Sequence, residues 1–287
     1  FWGESSRSEF ATTASLPVGV GIETQGARAP IEGRNANDAI GDLVGLIDQT
    51  APGADPTKGD MLSGAESFLQ NLAQQRTDTL VINKITLTSQ PDIGASSAPI
   101  VISGTANPVT TPTGQVSAPV EALVIDARSL PAGTEINLEN IEFAVIIGDN
   151  VTVRGGEGAN IFYAGAGSQN IRLGADDDIL YAGDGDDWVG SEGGDDQLFG
   201  ESGHDVLYGG TGDDVLDGGE GIDFALYQYA RAEYSVGKLD NGAWQISHAI
   251  EGTDTLINIE YAEFADQTLR LADNDGANLM QSGLLFF

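Results

Sequence analysis

The 287-residue sequence has no cysteine, two histidines, and 12 Lys and Arg set against 44 Asp and Glu. Without cysteine there is no disulfide framework, no thiol nucleophile and no thiolate metal site. A net charge of −32 repels nucleic-acid phosphates and anionic membrane surfaces, so neither is an expected partner. No run of about 18 apolar residues occurs, so no helical membrane span is expected. His204 and His248 do not fall in an HExxH, and there is no GxSxG; the usual zinc-protease helix and the hydrolase nucleophile elbow are both missing. No catalytic residue is assigned, and the chain reads as a non-enzyme. It opens FWGESSRSEF, without Met and without a basic-then-apolar leader, as an excised or processed piece of something longer would.

What is plentiful is glycine, with 39 residues, and the acidic side chains. From Gly155 to Leu226 they fall into eight consecutive units of nine with no insertion: GGEGANIFY, AGAGSQNIR, LGADDDILY, AGDGDDWVG, SEGGDDQLF, GESGHDVLY, GGTGDDVLD and GGEGIDFAL. The sixth position reads Asn160, Gln169, Asp178, Asp187, Asp196, Asp205, Asp214 and Asp223. The eighth is apolar throughout, from Phe162 to Ala225. A fixed short period dictates a stacked architecture.

Each unit has two halves. The first six residues are turn chemistry, with glycines that permit positive φ and close backbone approach. The last three form a short strand whose middle side chain faces inward, and stacked turns join these side chains into a narrow continuous core. Two units make one coil of 18 residues. Asp178, Asp196 and Asp214 then share one edge, and Asp187, Asp205 and Asp223 share the other. Residues 155–226 hold 13 Asp and 4 Glu against a single basic residue, Arg172. Carboxylates stacked this way repel one another unless a cation neutralises them. A hard divalent ion with oxygen ligands suits both the carboxylates and the carbonyls that glycine turns expose.

These units resemble the GGxGxDxUx nonapeptides of the RTX family, the calcium-binding parallel β-roll of proteins exported by type I secretion. The resemblance covers about a quarter of the chain. It implies Ca²⁺ as the cofactor, in several copies, held by Asp178, Asp187, Asp196, Asp205, Asp214 and Asp223, by Asn160 in the first unit, and by carbonyls of Gly183, Gly185, Gly194, Gly203, Gly210, Gly212 and Gly219. Gly183, Gly185 and Asp187 would meet Asp205; Gly210, Gly212 and Asp214 would meet Asp196. Asn160 and Gln169 depart from the pattern, because a neutral amide oxygen is a weaker ligand than a carboxylate. His204 and Asp176 also depart from it.

The flanking sequence is organised around this block. Residues 1–34 read as an irregular arm. Residues 35–76 read as a short helical hairpin, capped by Asn37 or Asp38 and by Asp60 and broken at Pro52–Pro56; it is expected to pack against the end of the solenoid, with a partner-binding helix as the alternative. Residues 77–154 alternate with period two in TLVINKITLT, APIVISG and EALVIDA, with a Pro/Thr/Ser loop, NPVTTPTGQVSAP, among them. They are read as a calcium-free start to the solenoid, with turns from near residue 120. Residues 227–272 read as a β cap, with an Asp240-Asn241-Gly242 hairpin turn and aromatics Tyr227, Tyr229, Tyr234, Trp244 and Phe264 over the open end of the core. Its Gly252–Asp266 run resembles the segment that follows the roll in RTX proteins. The tail, 273–287, resembles a type I secretion signal.

The expected fold is therefore mainly β: a parallel β-roll or β-solenoid with a small N-terminal helical segment and a C-terminal β cap. The expected protein is secreted and cell-surface associated, with calcium and the type I secretion machinery as partners. It would have a structural role as layer, filament or adhesin, by self-assembly or by contact with surface polysaccharide. The alternative is the C-terminal folding and export module of a larger secreted hydrolase.

Overall fold

Nine-residue units must put alternate strands on opposite sides of the coil, and the strand pairing shows this. In a computed structural model, which describes residues 12–25, 36–72, 80–89, 98–104, 109–110, 116–117, 119–156, 158–271 and 279–281, two 11-stranded sheets run side by side. One sheet stacks Asn170–Arg172, Trp188–Gly190, Val206–Tyr208 and Phe224–Leu226 in parallel. The other stacks Ile161–Ala164, Ile179–Tyr181, Gln197–Phe199 and Val215–Asp217. The step between paired residues is 18, as in Leu180↔Leu198 and Leu198↔Leu216.

The eighth-position side chains of both sheets meet between them. Ile171, Leu180, Val189, Leu198, Leu207, Leu216 and Ala225 all have 0% exposure. One thin apolar column runs through the repeats.

The parallel stack begins earlier than the expected start near residue 120. Leu80–Ser89 already pairs in parallel with Val120–Ser129, and Ile100–Ser103 with Glu135–Glu139. The step there is longer, with Leu80 opposite Val120 and Ile100 opposite Ile136. Long loops of unequal length erase the period from the sequence while leaving the stacking intact. One such loop, the Pro/Thr/Ser segment, carries a small antiparallel ribbon of Val109–Thr110 and Val116–Ser117. These early coils bury Leu123, Ile125, Ile136 and Ile146. The N-terminal arm, expected to be irregular, instead supplies two antiparallel strands at this end, Thr13–Ser15 and Val20–Gln25, paired with Ile100–Ser103 and Leu80–Ser89.

Helix α1 (Ala36–Thr50) and helix α2 (Lys58–Asn71) form the hairpin. It does not pack against the end of the solenoid as expected. Leu43, Ile47, Met61, Phe68 and Leu69 cover the outer face of one sheet, against Leu80, Val124, Phe143, Val145 and Tyr163. The reason is in the early strands. Val120–Ile125 is buried on both faces, so it needs a cover on each side, whereas the repeat strands bury only every second residue. The contact is close: a Cβ on Gly64 would lie 2.2 Å from the Tyr163 ring. Phe68, Phe143, Tyr163, Tyr181 and Phe199 continue as a run of neighbouring rings along that face.

At the other end Ser235–Lys238 and Trp244–His248 form the hairpin around Gly242 (φ +94°). Tyr227, Tyr234 and Phe264 pack on one another beneath it. Leu279–Gln281 adds a last antiparallel strand beside Gln267–Arg270. Residues 1–11, 26–35 and 282–287 lie outside the described residues. Among the described residues no helix is long and apolar enough to cross a membrane.

Candidate metal-binding edges

The sixth-position side chains are the polar residues closest to the core, one residue ahead of each strand. Stacking makes each one a partner of the next coil. The main-chain N–H of Asp178 donates to Oδ1 of Asp196, that of Asp196 to Asp214, that of Asp187 to Asp205 and that of Asp205 to Asp223, all at 2.7–2.9 Å. The two columns foreseen at a step of 18 are therefore brought together as two continuous edges.

Each of these carboxylates uses one oxygen. Oδ2 of Asp178, Asp187, Asp196, Asp205, Asp214 and Asp223 is buried and has no hydrogen-bond partner, in residues at most 2% exposed. A buried acceptor without a donor is costly, and more so when charged. Burial accordingly pushes the carboxyl pKa up, to about 7 for Asp178, Asp205 and Asp214, about 8 for Asp187 and about 6 for Asp196. The hydrogen bond from the coil before opposes this rise, and neighbouring carboxylates add to it. Asp223 is raised for the same reasons, with Glu260 as its nearest like charge.

Space is kept open beside three of these oxygens. A Cβ on Gly209 would lie 2.1 Å from Asp214 Oδ2, one on Gly200 2.4 Å from Asp205 Oδ2, and one on Gly218 2.6 Å from Asp223 Oδ2. In the sequence, first-position glycines read as turn glycines and not as site residues; Gly209 and Gly218 open doublets, whereas Gly200 is followed by Glu201. Gly183, Gly185, Gly194, Gly203, Gly210, Gly212 and Gly219 all have positive φ. At Gly203 the need is most evident, since φ is +148° and a Cβ would lie 1.7 Å from the Gly185 carbonyl oxygen.

The first coil is different. Asn160 receives the Asp178-directed contact in the usual way, its own N–H donating to Asp178 Oδ1. Its side-chain Nδ2 donates to the Ile141 carbonyl at 2.9 Å, and Gln169 Nε2 donates to the Gly148 carbonyl. An amide hydrogen here gives a main-chain carbonyl the positive partner that a cation would give it.

A further column was missed. Fifth-position side chains accept N–H groups from the coil that follows: Asp177 from Asp195, Asp195 from Asp213, Asp186 from His204, and His204 Nδ1 from Ile222. Position six thus ties each coil to the one before, and position five ties it to the one after. Asp176, at a fourth position, instead accepts from the coil before, from Gly158 N–H. The Asp-Asp doublets at 177–178, 186–187, 195–196 and 213–214 carried this signal in the sequence.

Among the described residues no three Asp, Glu or His side chains converge to hold a metal ion alone. Any ion on these edges needs main-chain carbonyls as well as carboxylates, a donor set that suits Ca²⁺ and suits zinc poorly.

Fold and edges together define a parallel β-roll with carboxylate-lined glycine turns. Comparison with known families agrees: the RTX calcium-binding nonapeptide repeat matches in four copies, over residues 148–168, 154–189, 163–198 and 191–225. Residues 148–225 are therefore RTX repeats, and repeats of this kind bind calcium. No curated protein matches the chain.

Proposed function

We propose that the protein is a secreted structural or cell-surface component whose folding and assembly are set by extracellular Ca²⁺. The observation that carries this reading is the set of six buried, unpartnered carboxylate oxygens along the two edges. Asp178, Asp196 and Asp214 on one edge, and Asp187, Asp205 and Asp223 on the other, would hold the ions together with glycine carbonyls of the intervening turns. Asn160 would take part through its oxygen only weakly, its Nδ2 being given to Ile141. A bound ion supplies the positive charge that lets the stacked carboxylates remain ionised. At low cytosolic Ca²⁺ the acidic repeats repel and stay open, which suits export through a narrow channel. At millimolar Ca²⁺ binding energy becomes folding energy.

A structural role is favoured over an appended export module by the extent of the solenoid. The repeats are the later part of one stack that starts at Leu80 and runs to the cap, so the roll is the body of this chain. The test is calcium titration with two readouts. Circular dichroism should show strand content lost on chelation and restored by Ca²⁺, and light scattering should show concentration-dependent assembly. Folding without assembly at millimolar Ca²⁺ would favour the export-module reading; unchanged strand content after exhaustive chelation would defeat both.

A further inference from the structure

Residues 249–257, AIEGTDTLI, have no glycine doublet and lie beyond the matched repeats, which end at 225. The structure nonetheless threads them through the same mould. Gly252 has φ +93°, and a Cβ there would lie 2.0 Å from the Gly212 oxygen, as one on Gly212 would lie 1.9 Å from the Gly194 oxygen. Thr253 N–H donates to Asp213 Oδ1 at 2.8 Å, the fifth-position contact. Asp214 N–H donates to Asp254 Oδ1 at 3.3 Å, the sixth-position contact. Leu256 sits opposite Leu216 in the core. The step is 40 instead of 18 because residues 227–248, which include the hairpin, are inserted between successive coils.

We infer that Asp254 is the sixth-position residue of a concealed ninth repeat, and that Asp214 and Asp254 with turn carbonyls form a terminal Ca²⁺ position that fastens the cap to the roll. This rests on the calcium reading of the edges above. One side chain points to a ligand there: Asp214 Oδ2 is buried without a partner, in a residue 1% exposed. The buried Tyr227 hydroxyl lies beside it, turned toward Asp254 and near Asp214 and Glu251. Glu251 is already engaged, accepting from the Tyr234 hydroxyl and from Gln228 N–H. Asp254 is 4% exposed, so two buried carboxylates meet with a tyrosine hydroxyl beside them and no cationic side chain among the groups acting on Asp254.

The consequence is a division of labour along one edge. The inner positions would fold the repeats, and the terminal one would dock strands Trp244–His248 and Gly252–Ile257, which pair with each other. The test compares the 287-residue chain with its Asp254→Asn and Asp205→Asn variants by calorimetric Ca²⁺ titration and by segment-resolved hydrogen exchange. Asp254→Asn should bind one ion fewer and lose protection over 235–257 while the repeats stay protected. Unchanged stoichiometry and protection would overturn the proposal. No calcium bound by the wild-type chain, or no effect of Asp205→Asn, would instead defeat the underlying calcium reading. Tyr227→Phe keeps the question open to test if Asp254→Asn does not fold. With Tb³⁺ as the probe, it should keep the number of ions and lower tyrosine-sensitised emission. Unaltered emission would count against a terminal site, as would equal loss of cap protection with and without Ca²⁺.

Discussion

Asp187 donates its main-chain N–H to Oδ1 of Asp205, 18 residues further on, and Oδ2 of Asp205 is left buried with no partner. One carboxylate is thus half structural and half available. Asp217 makes the contrast: it lies at a ninth position, half-buried, with Asn258 Nδ2 donating to it. Asp205→Ala should raise the Ca²⁺ concentration at half-folding by about tenfold or more, the loss of roughly one charged ligand contact. Asp217→Ala should shift it by less than about twofold. A calcium titration followed by circular dichroism checks this, and equal shifts would refute the assignment of position six.

The fourth-position glycines set a second expectation. A Cβ on Gly203 would meet the Gly185 carbonyl oxygen at 1.7 Å, whereas one on Gly237, in the cap hairpin, would meet nothing within 4 Å. Gly203→Ala must either open the stack or distort a left-handed turn that L-residues rarely adopt. It should lower the melting temperature markedly at saturating Ca²⁺, by a few kcal/mol of stability. Gly237→Ala should leave it within about 0.5 kcal/mol. Thermal melts of the two variants side by side decide the matter.

These two cases show what a sequence of this kind discloses. Where the period is strict, as from Gly155 to Leu226, partner residues follow by counting, and Asp187 finds Asp205. Where an insertion breaks the count, partners are hidden even though the physics is unchanged. Leu80 opposite Val120 and Asp214 opposite Asp254 are both separated by 40 residues, and neither is visible as a period. The direction of a side chain is also silent. The Asp-Asp doublets were plain, but only the stacked coils show that the first Asp of each pair reaches forward and the second backward. The place of the helices was hidden for another reason. Their apolar faces were legible, but their site of docking depends on which strand is buried on both faces, and that is Val120–Ser129 over its first six residues.

The helical cover is itself testable. Gly64 on α2 meets the Tyr163 ring so closely that a side chain at 64 has nowhere to go. Gly64→Val should lift α2 from the sheet and uncover Phe143 and Phe68, costing about 1–3 kcal/mol by overpacking. The contact touches the repeats only at Tyr163, the ninth position of the first unit, and none of the six sixth-position aspartates, so the calcium midpoint should hold. Increased binding of a hydrophobic dye with an unchanged midpoint is the expected pair of results. A shifted midpoint would mean that helices and repeats fold as one cooperative unit.

The raised carboxyl pKa values give the last expectation, and its direction follows from proton linkage. In the metal-free fold Asp187 titrates near 8 and Asp178, Asp205 and Asp214 near 7, against an unfolded value close to 3.9. The folded chain therefore holds more protons than the unfolded one between those values, and stability must fall as pH rises through that window. In chelator, the protein should be most stable near pH 4 and should weaken steadily up to about pH 8. With Ca²⁺ present the slope should reverse. Ligation needs the ionised carboxylate, so lowering the pH from 8 to 6 should release calcium and lower the melting temperature. Both limbs are read from melts over a pH series with and without Ca²⁺. A metal-free stability that rises from pH 5 to 8 would show that the sixth-position carboxylates are ionised in the fold without any cation, and would remove the electrostatic reason for binding one.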